Sequence, residues 1–105
     1  MRDFDCLSVR NGVLHIEGVN TLDLAERFGT PLFVFSEAQI RENLRRFRDA
    51  FAKGWPGPVD VLPAMKANTL LATRQLLSNE GAGADIYSAE ELASVLKSGV
   101  DPERV

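Results

Sequence analysis

The sequence has 105 residues, enough for one small domain with a modest core, and its 45% apolar content is ordinary for a globular chain. Its formal net charge of -3 comes from acids and bases that are mixed along the chain, which argues against a nucleic-acid partner or an anionic membrane surface. The single cysteine, Cys6, excludes an internal disulfide and favours a reducing, cytoplasmic compartment. The first residues lack the apolar core of a signal peptide, and no apolar run approaches the roughly 20 residues that span a bilayer.

The first predicted element is a β-hairpin over residues 7–18. Two β-leaning runs flank Asn11-Gly12, a pair that accepts the positive φ angles of a tight primed turn. His15 lies in the second run and is interpreted as a strand surface residue, because no second histidine exists to share a metal. A short helix is predicted over residues 22–28, with Gly29 as its C-terminal stop.

From residue 31 onward, predicted strands and helices alternate with short connections. The predicted strands cover 31–36, 59–65 and 84–87, and residues 101–105 lead towards a fourth. Three helices are predicted in this part of the chain. The first follows a capping box at Ser36 and Gln39 and carries four apolar residues on one face, Ile40, Leu44, Phe47 and Phe51. The other two cover residues 69–79 and 88–97. Such alternation is typical of parallel βα units, in a barrel or in an open sheet.

The predicted strands are too few for a finished domain. Three strands cannot close a barrel that needs eight, and an open layer of three would leave both of its edges unpaired. The sequence therefore predicts the α/β class and the first part of a larger domain, so that the chain is a fragment.

Four arginines lie close together in the helix that follows Ser36. They are Arg41, Arg45, Arg46 and Arg48, with Glu42 and Asp49 among them. Because acidic residues are interspersed, we interpret the cluster as a solvated helix face in preference to a phosphate-binding patch.

The strongest candidate for a residue that takes part in chemistry is Lys66, in the run Pro63-Ala-Met-Lys66-Ala-Asn68. It follows an apolar strand, and Asn68 is a candidate cap for the next helix. Strand alternation assigns Leu62, Ala64 and Lys66 to one face. If that face lines a barrel, the amine emerges at the catalytic end, where it can attack an aldehyde. On position alone, an ordinary loop charge is the simpler interpretation.

Four motifs in order extend this observation over about residues 13–105. The Lys66 run is similar to aromatic-Ala-Val-Lys-Ala-Asn, residues 81–92 to Gly-Ala-Gly-x-Asp-x-x-Ser-x-x-Glu-Leu, residues 99–105 to Gly-Val-x-Pro-Glu-Arg-Ile, and residues 29–35 to Gly-Thr-Pro-Leu-Tyr-Val-Tyr. Together they resemble the fold-type III pyridoxal-phosphate-dependent decarboxylases of diaminopimelate, ornithine and arginine, with the diaminopimelate branch most similar. Pro63 replaces the usual aromatic residue inside a strand, which leaves the subfamily and substrate open.

The resemblance implies a fold and a cofactor. Residues 31–105 would form the N-terminal part of a (β/α)8 TIM-type barrel, and residues 1–30 a β-hairpin and short helix of a separate β-domain. Lys66 would form the internal aldimine with pyridoxal 5'-phosphate, whose ring acts as an electron sink while an amino acid is decarboxylated. Asp85 would lie near Lys66 and help to bind the cofactor.

The resemblance also implies a setting for the enzyme. It would be a cytoplasmic homodimer that acts on a small amino-acid substrate in lysine biosynthesis or a related pathway, without a metal, nucleic acid or membrane. The fragment alone would be inactive, since the groups that hold the phosphate and the pyridine nitrogen lie elsewhere in this family. Ser88 and Glu91 match both the family motif and a capping box, so we interpret Glu91 as a cap first and as active-site support second.

Other functions stay open at this point. An alanine-racemase-like enzyme also carries its lysine after the first barrel strand, although the motifs at residues 81–92 favour the decarboxylase branch. A non-enzymatic pyridoxal-phosphate-binding protein would lack the β-domain, so the hairpin argues against it. A βα-rich binding or interaction module with no cofactor is the remaining alternative.

Overall fold

The hairpin around Asn11-Gly12 is the first element of the computed structural model, which describes residues 6–105. Strand β1 (Leu7–Arg10) pairs antiparallel with β2 (Val13–Ile16), and β3 (Val19–Asn20) pairs with the other edge of β2. Asn11 and Gly12 have φ angles of 51° and 77°, the positive values that a primed turn requires. The predicted hairpin is therefore confirmed.

Helix α1 (Thr21–Phe28) has the termini that the sequence predicts. The Asn20 side chain accepts a hydrogen bond from the Leu22 amide at 2.8 Å, which satisfies one free donor of the first turn. At the other end, Gly29 has a φ of 83° and its amide donates to the Ala25 carbonyl at 2.8 Å. Sheet and helix belong to a compact unit that ends at Gln39, and a second unit covers Ile40–Val105.

His15 lies on β2, partly buried, with its ring Nδ1 in a hydrogen bond of 3.0 Å with the Val13 carbonyl. Across residues 6–105, no three potential His, Cys, Asp or Glu ligands come together in a group that could hold a metal ion. None of the helices over the same residues is long and apolar enough to cross a membrane.

The strand predicted over residues 31–36 is not formed. No strand within the described range 6–105 forms a β-ladder with this segment, and Phe33 is 89% exposed. A strand needs a neighbouring strand for its backbone donors and acceptors, so apolar sequence alone does not produce one. Leu32 and Val34 instead line an open apolar groove with Ile16 and Leu24.

Helix α2 (Glu37–Gly54) begins where the capping residues were predicted. The Gln39 amide donates to Ser36 Oγ at 3.0 Å. On the predicted apolar face of α2, Leu44 is buried, whereas Phe47 and Phe51 are about half exposed. The two phenylalanine rings pack on each other, with their centroids 5.0 Å apart.

The segments predicted as strands at 59–65 and 84–87 run parallel, side by side. The Gly83 amide donates to the Val61 carbonyl at 2.9 Å and the Asp85 amide to the Pro63 carbonyl at 3.2 Å. The Met65 amide returns a bond of 2.9 Å to the Asp85 carbonyl, so that Ala64 and Asp85 form a parallel bridge. This short parallel ladder is the central β-structure of the second unit.

Pro63 explains why the ladder is short. In a regular parallel ladder, the amide of position 63 would donate to the Gly83 carbonyl between the two bonds on either side. Proline has no amide hydrogen, so that bond cannot form, as the sequence predicts for a proline inside a strand. The pairing survives because the carbonyl of Pro63 still accepts the Asp85 amide.

The core of the second unit packs beneath the ladder. It consists of Met65, Ala84, Val95 and Val100, with Ile86 and Val105 against it. Two helices flank it, α3 (Leu71–Asn79) and α4 (Ala89–Lys97). The chain closes with a 3-10 turn, Pro102–Arg104, and the Arg104 carbonyl accepts the Ala84 amide at 2.9 Å as a third backbone segment beside the ladder.

The start of α3 differs from the prediction. Asn68 was a candidate helix cap, but its side chain accepts from the Leu70 amide at 3.0 Å in a turn that precedes the helix. Leu70 then occupies the cap position without a side-chain bond, and the helix begins at Leu71. A local asparagine turn competes here with the helical cap.

Arg74 is an unexpected core residue. It lies on the same side of α3 as Leu71 and Leu77 and is only 1% exposed. Its three guanidinium nitrogens have no hydrogen-bond partner within the part of the chain that the structure describes. Burial disfavours the charged form and therefore lowers the pKa of Arg74.

The interpretation of the arginine cluster as a solvated helix face holds for Arg46 but is incomplete for the other three, which bond to Glu80 although Arg45 remains 51% exposed. Arg45 donates two hydrogen bonds of 2.6 Å to the Glu80 carboxylate, and Arg41 donates one of 2.8 Å. Arg48 donates to the Glu80 carbonyl at 3.0 Å, whereas Arg46 stays exposed. The three arginines thus attach α2 to the end of α3, a contact between distant residues that sequence spacing cannot reveal.

Gly83 is a position where only hydrogen fits. A Cβ atom there would lie 2.6 Å from the Arg104 carbonyl oxygen and 3.0 Å from Leu62 Cγ.

We expect Gly83→Ala to destabilise the intact protein by about 1–3 kcal/mol, because backbone must move to admit the methyl group. Urea unfolding measures the loss. Gly54→Ala is the control, since its added methyl meets nothing within 4 Å; equal effects of both substitutions would contradict the close approach.

Glu80 makes stability depend on pH. Hydrogen bonds from Arg45 and Arg41 lower the pKa of Glu80 from 4.5 to about 2. The fold therefore favours the ionised carboxylate, and this stabilisation is complete above about pH 4.5 and is lost as the pH falls towards 2.

We expect Glu80→Gln to lower the urea midpoint of the intact protein at pH 7, and this deficit to shrink as the pH falls from 4.5 towards 2. The exposed Glu26→Gln serves as the control and should leave the midpoint nearly unchanged. A Glu80→Gln deficit that is the same at all pH values would show that the ion pairs are not its source.

Candidate functional site

Lys66 lies where the parallel ladder ends. Residues Met65–Ala67 form a single 3-10 turn, closed by the Asn68 amide donating to the Met65 carbonyl at 3.1 Å. The Met65 side chain is 2% exposed and fixes the turn in the core, while Lys66 is exposed. The turn ends strand alternation at Met65, so the direction of Lys66 is set by the turn and not by a shared strand face with Leu62 and Ala64.

Asp85 stands at the same end of the neighbouring segment. Its backbone exchanges hydrogen bonds with Pro63 and Met65, which brings it beside the turn that carries Lys66. No ion pair joins Lys66 to Asp85 within residues 6–105. The Asp85 carboxylate instead accepts a hydrogen bond of 3.2 Å from the Tyr87 hydroxyl.

Tyr87 connects the two predicted site residues. The Lys66 Nζ lies 4.3 Å from the centroid of the Tyr87 ring, within the range of a cation–π interaction. Sequence reasoning missed this residue, because it occupies a variable position of the motif. Strand alternation carries a usable signal, since Tyr87 is two residues after Asp85 and therefore on the same side.

The hydrogen bond with Asp85 determines the protonation of Tyr87. Loss of the phenolic proton would break that bond and set a phenolate against a carboxylate. The bond and the charge of Asp85 therefore raise the pKa of Tyr87 above its usual value. The hydroxyl remains a hydrogen-bond donor at neutral pH.

Ser88 and Glu91 form the cap that the sequence predicts, with one difference. Ser88 Oγ accepts the Glu91 amide at 3.1 Å, as a serine cap should. The Glu91 carboxylate accepts the amide of Tyr87 at 2.7 Å, one residue before the cap. Glu91 is thus a capping residue that also fixes the backbone of a site residue.

The chemistry of these groups fits an aldehyde cofactor. An exposed primary amine stands at the end of the parallel ladder, over the Tyr87 ring whose hydroxyl is bonded to the Asp85 carboxylate. A lysine amine forms a covalent bond with an aldehyde carbon, and a carboxylate nearby favours a protonated nitrogen. The donor set of the site therefore fits the chemistry of an aldehyde such as that of pyridoxal phosphate.

Comparisons with known proteins agree with this chemistry. Residues 37–105 match the family described as pyridoxal-dependent decarboxylase, pyridoxal binding domain. Diaminopimelate decarboxylase of Methanothermobacter thermautotrophicus is 44% identical over 94 residues, which are 90% of this chain and 22% of that protein. The Pseudomonas aeruginosa enzyme of the same name is 45% identical over 101 residues, 96% of this chain and 24% of the relative.

Solved structures resemble this chain closely. Diaminopimelate decarboxylase from M. jannaschii superimposes with a TM-score of 0.90 at 38% identity, over 96% of this chain and 24% of that structure. A complex of the same enzyme with L-lysine gives a TM-score of 0.88 at 39% identity, over 95% of this chain and 24% of its own length.

The chain therefore belongs to the pyridoxal-dependent decarboxylase family, since residues 37–105 match the model of its pyridoxal binding domain. The relatives and structures described above are diaminopimelate decarboxylases, of whose length this chain spans about a quarter. The family resemblance of the four sequence motifs is confirmed.

Removing the cap tests its role beneath the site. We expect Ser88→Ala to destabilise the intact protein by about 1 kcal/mol, because the first turn of α4 loses an acceptor for its free amides. Ser88→Asp keeps an acceptor and should retain most of the stability. Urea unfolding compares the variants, and equal losses for alanine and aspartate would show that the hydroxyl does not act as a cap.

Proposed function

We propose that this chain is part of a pyridoxal-phosphate-dependent amino-acid decarboxylase of the diaminopimelate type, in which Lys66 holds the cofactor. The observation that carries the proposal is the position of Lys66, at the end of the parallel ladder and beside Asp85, within a segment that matches a pyridoxal-binding domain. The names of the relatives support the reaction class.

Lys66 contributes a primary amine. Its Nζ is the group that would hold pyridoxal phosphate, through a bond to the aldehyde carbon with loss of water. The bound cofactor supplies an electron sink for the carbanion that remains when carbon dioxide departs. With the substrate amine bound to the cofactor in its place, Lys66 would remain near enough to move a proton.

Asp85 contributes a carboxylate on the segment beside the turn that carries Lys66. Its backbone is held to Pro63 and Met65, and its carboxylate to the Tyr87 hydroxyl, so it has little freedom to swing away. A carboxylate in this position favours protonated nitrogen and orients the amine.

The architecture that we infer for the whole protein is a (β/α)8 barrel with a separate β-domain. Residues 31–105 are its first βα units, and residues 1–30 the hairpin and helix of the β-domain. The parallel ladder and the similarity to solved decarboxylases support this assignment. Three further parts of the proposal are a homodimer, a cytoplasmic setting that rests on the single cysteine, and a role in lysine biosynthesis.

The substrate that we propose is a small amino acid with a second polar end, as in diaminopimelate. A related decarboxylase binds L-lysine, which supports an amino-acid site in the family. Pro63, in place of an aromatic residue beside the site, is the difference from the family motif that most affects the choice of substrate.

The test is chemical labelling of the intact protein. Pyridoxal phosphate is added, the absorbance of the lysine adduct is recorded, and borohydride fixes the label for peptide mapping. We expect the label on Lys66 and its loss, together with activity, in Lys66→Arg. Lys53→Arg and Lys97→Arg, which change the other two lysines of residues 1–105, should keep both. A label elsewhere would refute the assignment.

The reaction is tested with a panel of diaminopimelate, ornithine, arginine and lysine. We expect release of carbon dioxide, fastest with diaminopimelate. Exchange of the substrate α-hydrogen without carbon dioxide would identify a racemase instead. Labelling without turnover of any member of the panel would favour a cofactor-binding protein.

A further inference from the structure

Tyr87 has a position that core packing does not explain. Tyr87 is 65% exposed, and its ring and hydroxyl contact the polar groups of Lys66 and Asp85 in the candidate site. We propose that Tyr87 is a positioning residue. Its ring and hydroxyl hold the Lys66 amine and the Asp85 carboxylate in the places from which each can act on the cofactor. This proposal rests on the function proposed above.

The ring of Tyr87 is held at both ends. At the backbone, its amide donates to the Glu91 carboxylate at 2.7 Å, and the next residue, Ser88, is fixed as the cap of α4. At the tip, its hydroxyl donates to Asp85 at 3.2 Å. The ring face is therefore presented to Lys66 in one orientation.

A ring suits this task better than a direct ion pair. A carboxylate bonded to the lysine would stabilise its charge strongly and oppose the uncharged amine that must attack an aldehyde. The face of a phenol attracts an ammonium group more weakly and without a hydrogen bond. Tyr87 therefore keeps the lysine near the reaction position and releases it at small cost.

The same ring keeps Asp85 away from a premature ion pair. The carboxylate already accepts the phenol hydroxyl, whose raised pKa keeps the proton in place at neutral pH. Lys66 thus contacts the ring face and Asp85 the hydroxyl, so that each of the two opposite charges has Tyr87 as a partner. Each remains available to the cofactor.

The first experiment detects the contact without the cofactor. In the intact protein, isotope labelling of lysine Cε gives an NMR signal for Lys66 that is assigned with Lys66→Arg. The ring should move this signal upfield. Tyr87→Phe should keep the shift and Tyr87→Leu should abolish it. An identical Lys66 signal in wild type and Tyr87→Leu would overturn the proposed contact, whatever the activity of the enzyme.

The second experiment measures the consequence. We expect Tyr87→Leu to slow the formation of the lysine–cofactor bond by about three- to tenfold, and Tyr87→Phe, which keeps the ring but loses the bond to Asp85, to fall between leucine and wild type. Urea unfolding should hardly change, because the side chain is exposed. Tyr87→Met is a second ringless variant in case leucine prevents folding.

The outcomes separate the two proposals. Normal bond formation in both ringless variants, with the label still on Lys66, would overturn the role of Tyr87 and leave the cofactor anchor intact. An equal defect in Tyr87→Phe and Tyr87→Leu would show that the ring is not the active part. Slower bond formation that follows a lowered unfolding midpoint would assign Tyr87 a merely structural role.

Discussion

The parallel ladder between residues 61–65 and 83–85 is the constraint on which the candidate site depends. Three backbone hydrogen bonds bring the ends of two segments together, although twenty residues separate Met65 from Asp85 along the chain. Gly83 lets a third segment approach, because a side chain there would meet the Arg104 carbonyl. The turn with Lys66 and the carboxylate of Asp85 are neighbours only because this backbone arrangement holds.

Local signals predicted much of the fold. The Asn11-Gly12 turn, the Gly29 stop and the caps at Ser36 and Ser88 all follow from residues close in sequence, and each is present. The segment 31–36 was predicted as a strand from its apolar run, and it has no strand partner among residues 6–105. Strand formation is a property of pairs of segments, so composition can predict a candidate but not its pairing.

The candidate site divides in the same way. Motifs point to Lys66 and Asp85, but what each side chain contacts depends on tertiary geometry. The ring of Tyr87 between them, the turn of Asn68 ahead of α3 and the buried guanidinium of Arg74 are all outcomes of packing. Residues at variable motif positions therefore need a structure before their roles can be argued.

Glu80 connects helix α2 to the segment that carries the motif residues of the site. Its carboxylate is held by Arg41 and Arg45, and it immediately precedes the Gly81–Asp85 segment that carries the motif. Arginine forms planar, two-pronged bonds that lysine cannot reproduce, so a conservative charge swap at Arg45 is not neutral here. Substitutions at these positions are therefore coupled: the effect of a change at residue 80 depends on the residues present at positions 41 and 45 of α2.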